Sequence, residues 1–223
     1  MTTRLFIQAI TKFILGIVLV GVLVFLPAGT LSFVNGWIFM AILFIPMFIA
    51  GLVMMAKNPV LLERRLDAKE KQNDQSIVIK LSGLMFLAGF IVAGLNYRFA
   101  WHILPMGVSI GAAVVFLIAY LLYAEVLREN TYLSRTIEVQ ENQKVIDTGL
   151  YGIVRHPMYS VTLLLFLAMP LVLGSLISFV IFFAYPFIIA VRIKGEEKFL
   201  TEELAGYKDY KEKVRYRLIP FIW

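Results

Sequence analysis

The sequence predicts an all-α, polytopic membrane bundle. Three observations carry that prediction. Hydrophobic residues make up 60% of the 223 residues and charged ones only 16%, well below the roughly 25% charged residues of soluble domains. Mean hydropathy is +0.82. Long stretches also lack charge altogether, as from Phe13 to Ala56 and from Pro157 to Val191.

The first of these stretches exceeds what one membrane helix of ~20 residues can use. Pro27-Ala28-Gly29-Thr30 supplies a turn within it, which predicts helices over about 5–26 and 33–55. The charged segment 57–74 follows, where Leu61, Leu62 and Leu66 are interleaved with Glu63, Arg64 and Arg65. That pattern suits a short amphipathic helix on the membrane interface. Two further helices are expected at about 77–95 and 103–123, joined by the connector 96–102 with its interfacial Tyr97 and Trp101. Gly107 and Gly111, four apart, with Ala112 following, would permit a close helix contact in the second of them.

The final apolar run breaks at Gly174-Ser175. It therefore reads as a hairpin over 157–193, whose second arm continues as helix past Arg192. Phe199, Leu200, Leu204, Tyr207, Tyr210 and Val214 then recur at helical spacing, with Gly206 as an interruption. The whole is about six transmembrane helices, a C-terminal hairpin and a cytosolic C-terminal helix. It divides into 1–124, four helices with the loop 57–76, and 125–223, which carries the chemistry.

Lys and Arg set the expected orientation. Five lie in the loop after the second helix (Lys57, Arg64, Arg65, Lys69, Lys71), four before the hairpin (Arg128, Arg135, Lys144, Arg155) and eight from Arg192 onward; the alternate connectors hold only Arg98. By the positive-inside rule, both termini and the polar segments face the cytoplasm. The net charge of +6 is spread over loops beside apolar segments, which favours membrane lipids as partners and argues against nucleic acid. The absence of cysteine excludes disulfides, thiolate metal sites and a cysteine nucleophile. Arg4 and Lys12 precede the first apolar stretch, but no small-x-small cleavage site follows, so a retained helix is expected.

Candidate chemistry gathers at two places. Arg155-His156-Pro157-Met158-Tyr159 opens the hairpin, and Arg192, Glu196 and Glu197 close it. Singly, each has a structural reading: Arg155 as a headgroup anchor, Pro157 as a first-turn proline, Tyr159 as a belt aromatic. Hairpin geometry brings the two groups together. Arg192 and Glu196, four apart, share a helix face. They form either a surface ion pair worth a few tenths of a kcal/mol or part of a pocket holding both signs of charge, suited to a zwitterionic ligand. Phosphate-loop, dinucleotide, zinc-protease and nucleophile-elbow motifs are missing. Two histidines without cysteine fit a transition-metal site poorly. No span holds the several interior charges of an ion pathway.

Glu129-Asn130-Thr131, Arg135-Thr136, Val139-Gln140, Val145 to Tyr151, Arg155 to Tyr159, Arg192, Glu196-Glu197, Leu200, Gly206-Tyr207, Tyr210 and Arg215 to Pro220 together resemble the isoprenylcysteine carboxyl methyltransferase family. These motifs span about the last 95 residues in the family's order. Ala205 stands where a Phe usually precedes the glycine, and Tyr216 replaces a common proline. The resemblance implies an integral-membrane methyltransferase that uses S-adenosylmethionine and acts on a lipophilic or lipidated substrate. The expected location of such a protein is the plasma (inner) membrane if the source is prokaryotic and the endoplasmic reticulum if it is eukaryotic. It also implies that Gln143, Val145, Gly149, Tyr151, His156, Pro157, Tyr159 and Glu196 line the cofactor pocket, with Arg155 or His156 suited to the cofactor carboxylate. Arg192 and Glu197 are implied at the reacting centre. A phospholipid amine methyltransferase is the nearest alternative, and a nicotinamide-dependent membrane reductase a more distant one.

Overall fold

The computed structural model describes residues 3–66, 73–134 and 139–223. Every regular element among them is helical. Lys69, Lys71 and the Arg135-Thr136 motif lie outside the described residues.

Helices α1 (Thr3–Ala28) and α2 (Val34–Lys57) form the first pair. The turn between them follows from Gly29, whose φ of 69° is left-handed and costs glycine little. The expected interfacial helix is α3, Pro59–Leu66. It buries Leu61 and Leu62, and Asn58 Oδ1 accepts the Leu61 amide at 3.1 Å, so a side chain takes one of the donors its first turn leaves unpaired. Helices α4 (Asn73–Phe99) and α5 (Met106–Glu129) come next. Helix α4 runs beyond the expected limits at both ends, and α5 continues past its expected end through Glu125 and Arg128 but starts later than expected, at Met106 behind Pro105.

The hairpin is present, and it is more broken than the sequence suggested. Helix α6 (Pro157–Val172) ends at Gly174, whose φ is 72°. Helix α7 (Leu176–Phe182) starts behind a Ser175 cap, its side chain accepting the Ser178 amide at 3.2 Å. A second break at Phe183-Ala184 separates α7 from α8, Tyr185–Glu203. Pro186 stands in the first turn of α8, where it has no amide to continue the ladder from α7. Gly206, with φ 82°, ends the next turn, and α9 covers Tyr207–Lys213.

Among the described residues, five helical stretches are long and apolar enough to cross a membrane: Thr3–Ala28, Val34–Lys57, Ser76–Phe99, Met106–Glu129 and, across the break, Leu176–Glu203. Helix α6 has 16 residues, or ~24 Å at 1.5 Å per residue, short of the ~30 Å hydrocarbon core. The protein is thus a polytopic helical membrane bundle, with five full-length spans and one short apolar helix beside α5.

The expected Gly107–Gly111 contact is not made: a Cβ at either position would meet nothing within 4 Å. The buried face of α5 is Ser109, Ala112, Phe116 and Ala119. Close approach occurs on α4 instead, where a Cβ at Gly94 would lie 2.5 Å from the Val24 carbonyl oxygen of α1, and one at Gly89 would lie 2.2 Å from the Phe182 ring of α7. A four-residue glycine spacing records helix periodicity but not which face meets a neighbour.

Candidate active site

The site forms because α6 begins where α8 ends. His156 precedes Pro157, the first residue of α6, and a proline there loses no helical hydrogen bond. The Arg155 and His156 amides are turned outward, to the Tyr216 and Arg217 carbonyls, each at 2.9 Å. Ser160 Oγ donates to the Leu218 carbonyl at 2.5 Å. The tail 214–218 is thus strapped across the start of α6.

Beneath this strap lies a buried ionic cluster. Arg155 Nε donates to Glu197 Oε1 at 2.6 Å, and its Nη1 donates to the Val214 and Arg215 carbonyls at 2.7 and 2.8 Å. Arg217 Nε donates to Glu197 Oε2 at 2.9 Å, and His156 Nε2 lies 3.3 Å from Glu197 Oε1. Glu197 is only 3% exposed, so its charge is tolerable only because both oxygens are engaged by cationic or polar partners. Its carboxylate therefore holds three segments of chain together: the hairpin entrance, α8 and the tail.

The neighbouring carboxylate looks the other way. Tyr159 Oη donates to Glu196 Oε2 at 2.5 Å and accepts from Arg192 Nε at 2.9 Å. One phenol from α6 thus bridges the two charged side chains that share a face of α8. The Tyr159 ring stacks on His156, with centroids 5.7 Å apart at 25°. In place of a simple surface ion pair, Arg192 and Glu196 belong to a three-member, partly buried network that faces a cleft and is centred on the buried Tyr159.

The network borders a cleft of about 110 Å³, partly open to its surroundings and lined by both charged and apolar residues. Of the residues expected from sequence, Gln143, Val145, Tyr151, Arg155, His156, Tyr159, Arg192 and Glu196 line it. Gly149, Pro157 and Glu197 are not among the lining residues. Pro157 starts the helix behind it. Gly149 has φ 53°, and a Cβ there would fall 1.3 Å from Glu129 Oε1. The Glu129 carboxylate occupies that space and accepts the Leu150 amide at 3.0 Å. Gly149 thereby admits the group that fixes the short 3₁₀ turn Gly149–Gly152, and the turn presents Tyr151 to the cleft.

Sequence reasoning left out Asn130, Met158, Leu200, Leu204, Tyr207 and Tyr210, all of which line the cleft. Several stood among the motifs quoted above, but only as spacing. Tyr210 donates to the Tyr151 carbonyl at 2.8 Å, and Asn130 Nδ2 donates to the Tyr151 hydroxyl at 3.0 Å. Burial, the largest influence, pushes the Tyr151, Tyr207 and Tyr210 phenols above their ordinary range. All three remain neutral hydrogen-bonding groups at physiological pH. Among the described residues, no group of three His, Asp or Glu side chains gathers to hold a metal ion.

An apolar helical bundle with a mixed-charge cleft at one end defines the class first: an integral-membrane protein with a polar site at the boundary of its spans. One family model then adds a likeness to membrane methyltransferases over part of the chain. Residues 106–206, a little under half of the chain, match the family model described as phospholipid methyltransferase. The matched stretch begins at α5 and ends at the Gly206 turn, so it contains Tyr151, Arg155, His156, Tyr159, Arg192, Glu196 and Glu197. No curated protein matches the chain.

The residues present fit the cofactor that such a family implies. S-adenosylmethionine carries an ammonium, a carboxylate, a sulfonium, ribose hydroxyls and a purine. The cleft offers a carboxylate (Glu196), cations (Arg155, Arg192), neutral donors and an apolar wall of Val145, Leu200 and Leu204.

Proposed function

We propose that the protein is an S-adenosylmethionine-dependent methyltransferase of the membrane, acting on an anionic oxygen of a lipophilic acceptor, as isoprenylcysteine carboxyl methyltransferases do. The observation that carries this reading is the Arg192–Tyr159–Glu196 network on the cleft wall. It puts a guanidinium and a carboxylate within reach of one cavity at the end of apolar helices.

When bound, the cofactor would supply a methyl group on a sulfonium: an O–CH3 bond to the anionic acceptor oxygen would form as the S–CH3 bond breaks, the neutral thioether would leave, and no proton need change hands. The protein's task is then mainly alignment. Glu196 accepts from the ammonium or hydroxyls of the cofactor, and Arg155 or His156 faces its carboxylate. Arg192 holds the acceptor oxygen by charge-assisted hydrogen bonding. Glu197, with both oxygens engaged, acts by positioning Arg155 and His156. A carboxylate acceptor requires no general base, which agrees with a site whose deepest carboxylate is already committed. The site faces the cytoplasm in this reading, and the acceptor enters from the bilayer between the spans.

A second reading is a phospholipid amine N-methyltransferase, with which the family match over 106–206 is equally compatible. Glu196 would then take the amine proton. The two are separated by supplying detergent-purified protein with methyl-labelled S-adenosylmethionine and either a prenylcysteine analogue or phosphatidylethanolamine. A methyl ester releases label as methanol in base, whereas an N-methyl product does not. Base-labile label on the prenylcysteine supports the first reading, and base-stable label on the lipid replaces it with the second. Binding of NADPH in place of S-adenosylmethionine would remove both.

A further inference from the structure

One cleft residue does something its surroundings do not explain. Tyr207 is 4% exposed, and its hydroxyl has no hydrogen-bond partner among the described residues. Leaving a buried hydroxyl unpaired is costly, since it gives up water and gains nothing in return. The neighbouring phenols are all paired: Tyr159 with Glu196 and Arg192, Tyr210 with the Tyr151 carbonyl, and Tyr151 with Asn130. Among the described residues, Tyr207 lines the cleft with a buried hydroxyl that no neighbour uses. Gln140 Oε1 is also buried and unpaired, but it is not part of the cleft wall.

The position of Tyr207 indicates what it meets. Arg192, Glu196 and Leu200 follow one another at four-residue steps along α8, and all three line the cleft, with Leu204 beyond them. Each step advances ~6 Å, so the wall changes from charged to apolar over ~12 Å. The Tyr207 ring packs with Leu204, Tyr210 and Val214, flanked by Val139, Val145 and Leu200, while its hydroxyl lies near enough to Glu196 and Glu197 to feel their charge, at the junction of the apolar and charged parts of the wall. A ligand filling this cleft has a charged end and a flat, mostly apolar end that carries a hydrogen-bond acceptor on its edge. With its phenol held neutral, Tyr207 can donate to that acceptor.

We infer that the Tyr207 hydroxyl donates a hydrogen bond to a ring nitrogen of the purine of the bound methyl donor, which lies against Val145, Leu200 and Leu204. This rests on the S-adenosylmethionine reading above. It makes Tyr207 a binding residue for the base, distinct from the charged group that meets the amino-acid end.

The test is calorimetric titration of purified wild-type protein and Tyr207→Phe with S-adenosylhomocysteine and with its 1-, 3- and 7-deaza analogues, together with the melting temperature of each protein without ligand. Loss of one neutral hydrogen bond predicts roughly 3- to 10-fold weaker binding of S-adenosylhomocysteine by Tyr207→Phe. One deaza analogue should lose a similar factor on the wild type and nothing further on the variant. The ligand-free variant should melt higher than wild type, because the substitution removes an unpaired buried hydroxyl and keeps the ring. Equal affinity of the two proteins for S-adenosylhomocysteine would overturn the inference, as would a lower melting temperature. So would deaza losses that add to the variant's own. Failure of the wild type itself to bind S-adenosylhomocysteine would instead remove the cofactor reading, and the inference with it.

Discussion

At the scale of single residues, the adjacent carboxylates Glu196 and Glu197 have opposite surroundings. Successive residues on a helix point about 100° apart, so one faces the cleft and the other faces the tail. Glu197 is enclosed by Arg155, His156 and Arg217, and Glu196 faces the cavity through Tyr159. Tyr159 is the residue on which the open half depends, since its hydroxyl fixes Arg192 and Glu196 relative to each other. Tyr159→Phe keeps the ring stacked on His156 and removes only that bridge. Hydrogen bonds to charged groups contribute ~1.5–3 kcal/mol, so methyl-transfer kcat/KM should fall about 10- to 100-fold. The melting temperature should change little by comparison. Undiminished turnover in the variant would mean that the bridge has no part in catalysis.

At the scale of elements, the close approaches lie where a backbone or ring occupies the space of a side chain. Gly94 on α4 faces the backbone of α1: a Cβ would sit 2.5 Å from the Val24 carbonyl oxygen and 3.0 Å from the Ala28 nitrogen. Neither atom can move without shifting a helix. Gly94→Ala should therefore destabilise the bundle by roughly 1–3 kcal/mol, the usual cost of overpacking. Gly83→Ala, on the same helix with nothing within 4 Å, is the control and should be neutral or mildly stabilising. Melting in detergent compares the two, and equal effects would mean that α1 and α4 do not pack in this way. The same paired comparison explains why Gly107 and Gly111 misled as a sequence signal. Small-residue spacing is read from one helix, whereas contact is a property of two.

At the scale of the whole molecule, the distribution of Lys and Arg predicts which side of the membrane the cleft faces. The cleft is built from the ends of α6 and α8 and the segment after α5, and these join the basic segments of the chain. The opposite ends, near 101 and 174, carry little charge beyond Arg98. The chain has no cysteine, so single cysteines report topology without background. Glu141→Cys should be labelled by an impermeant maleimide only from the cytoplasmic face, and Trp101→Cys only from the other. The reverse pattern would place the site away from the compartment that supplies the methyl donor and would undo the proposed function.

Much of this architecture is decided by local composition. The apolar runs, the breaks at Gly29, Gly174 and Gly206, and the amphipathic Pro59–Leu66 helix follow from the cost of burying charge and from glycine's freedom at positive φ. The two halves of the site could also be named in advance, because a hairpin must return its second arm to where the first began. Tertiary structure alone decided how the halves divide their work. Nothing in Glu196-Glu197 as a dipeptide says which carboxylate is enclosed, since that depends on where Arg217 and the strap 214–218 come to rest. Nor does Gly149 announce that its missing side chain admits Glu129, or Tyr207 that its hydroxyl is left unpaired. Helix and span are short-range consequences of residue type. Burial, pairing and the identity of an orphaned donor depend on contacts between segments distant along the chain, and those exist only once it has folded.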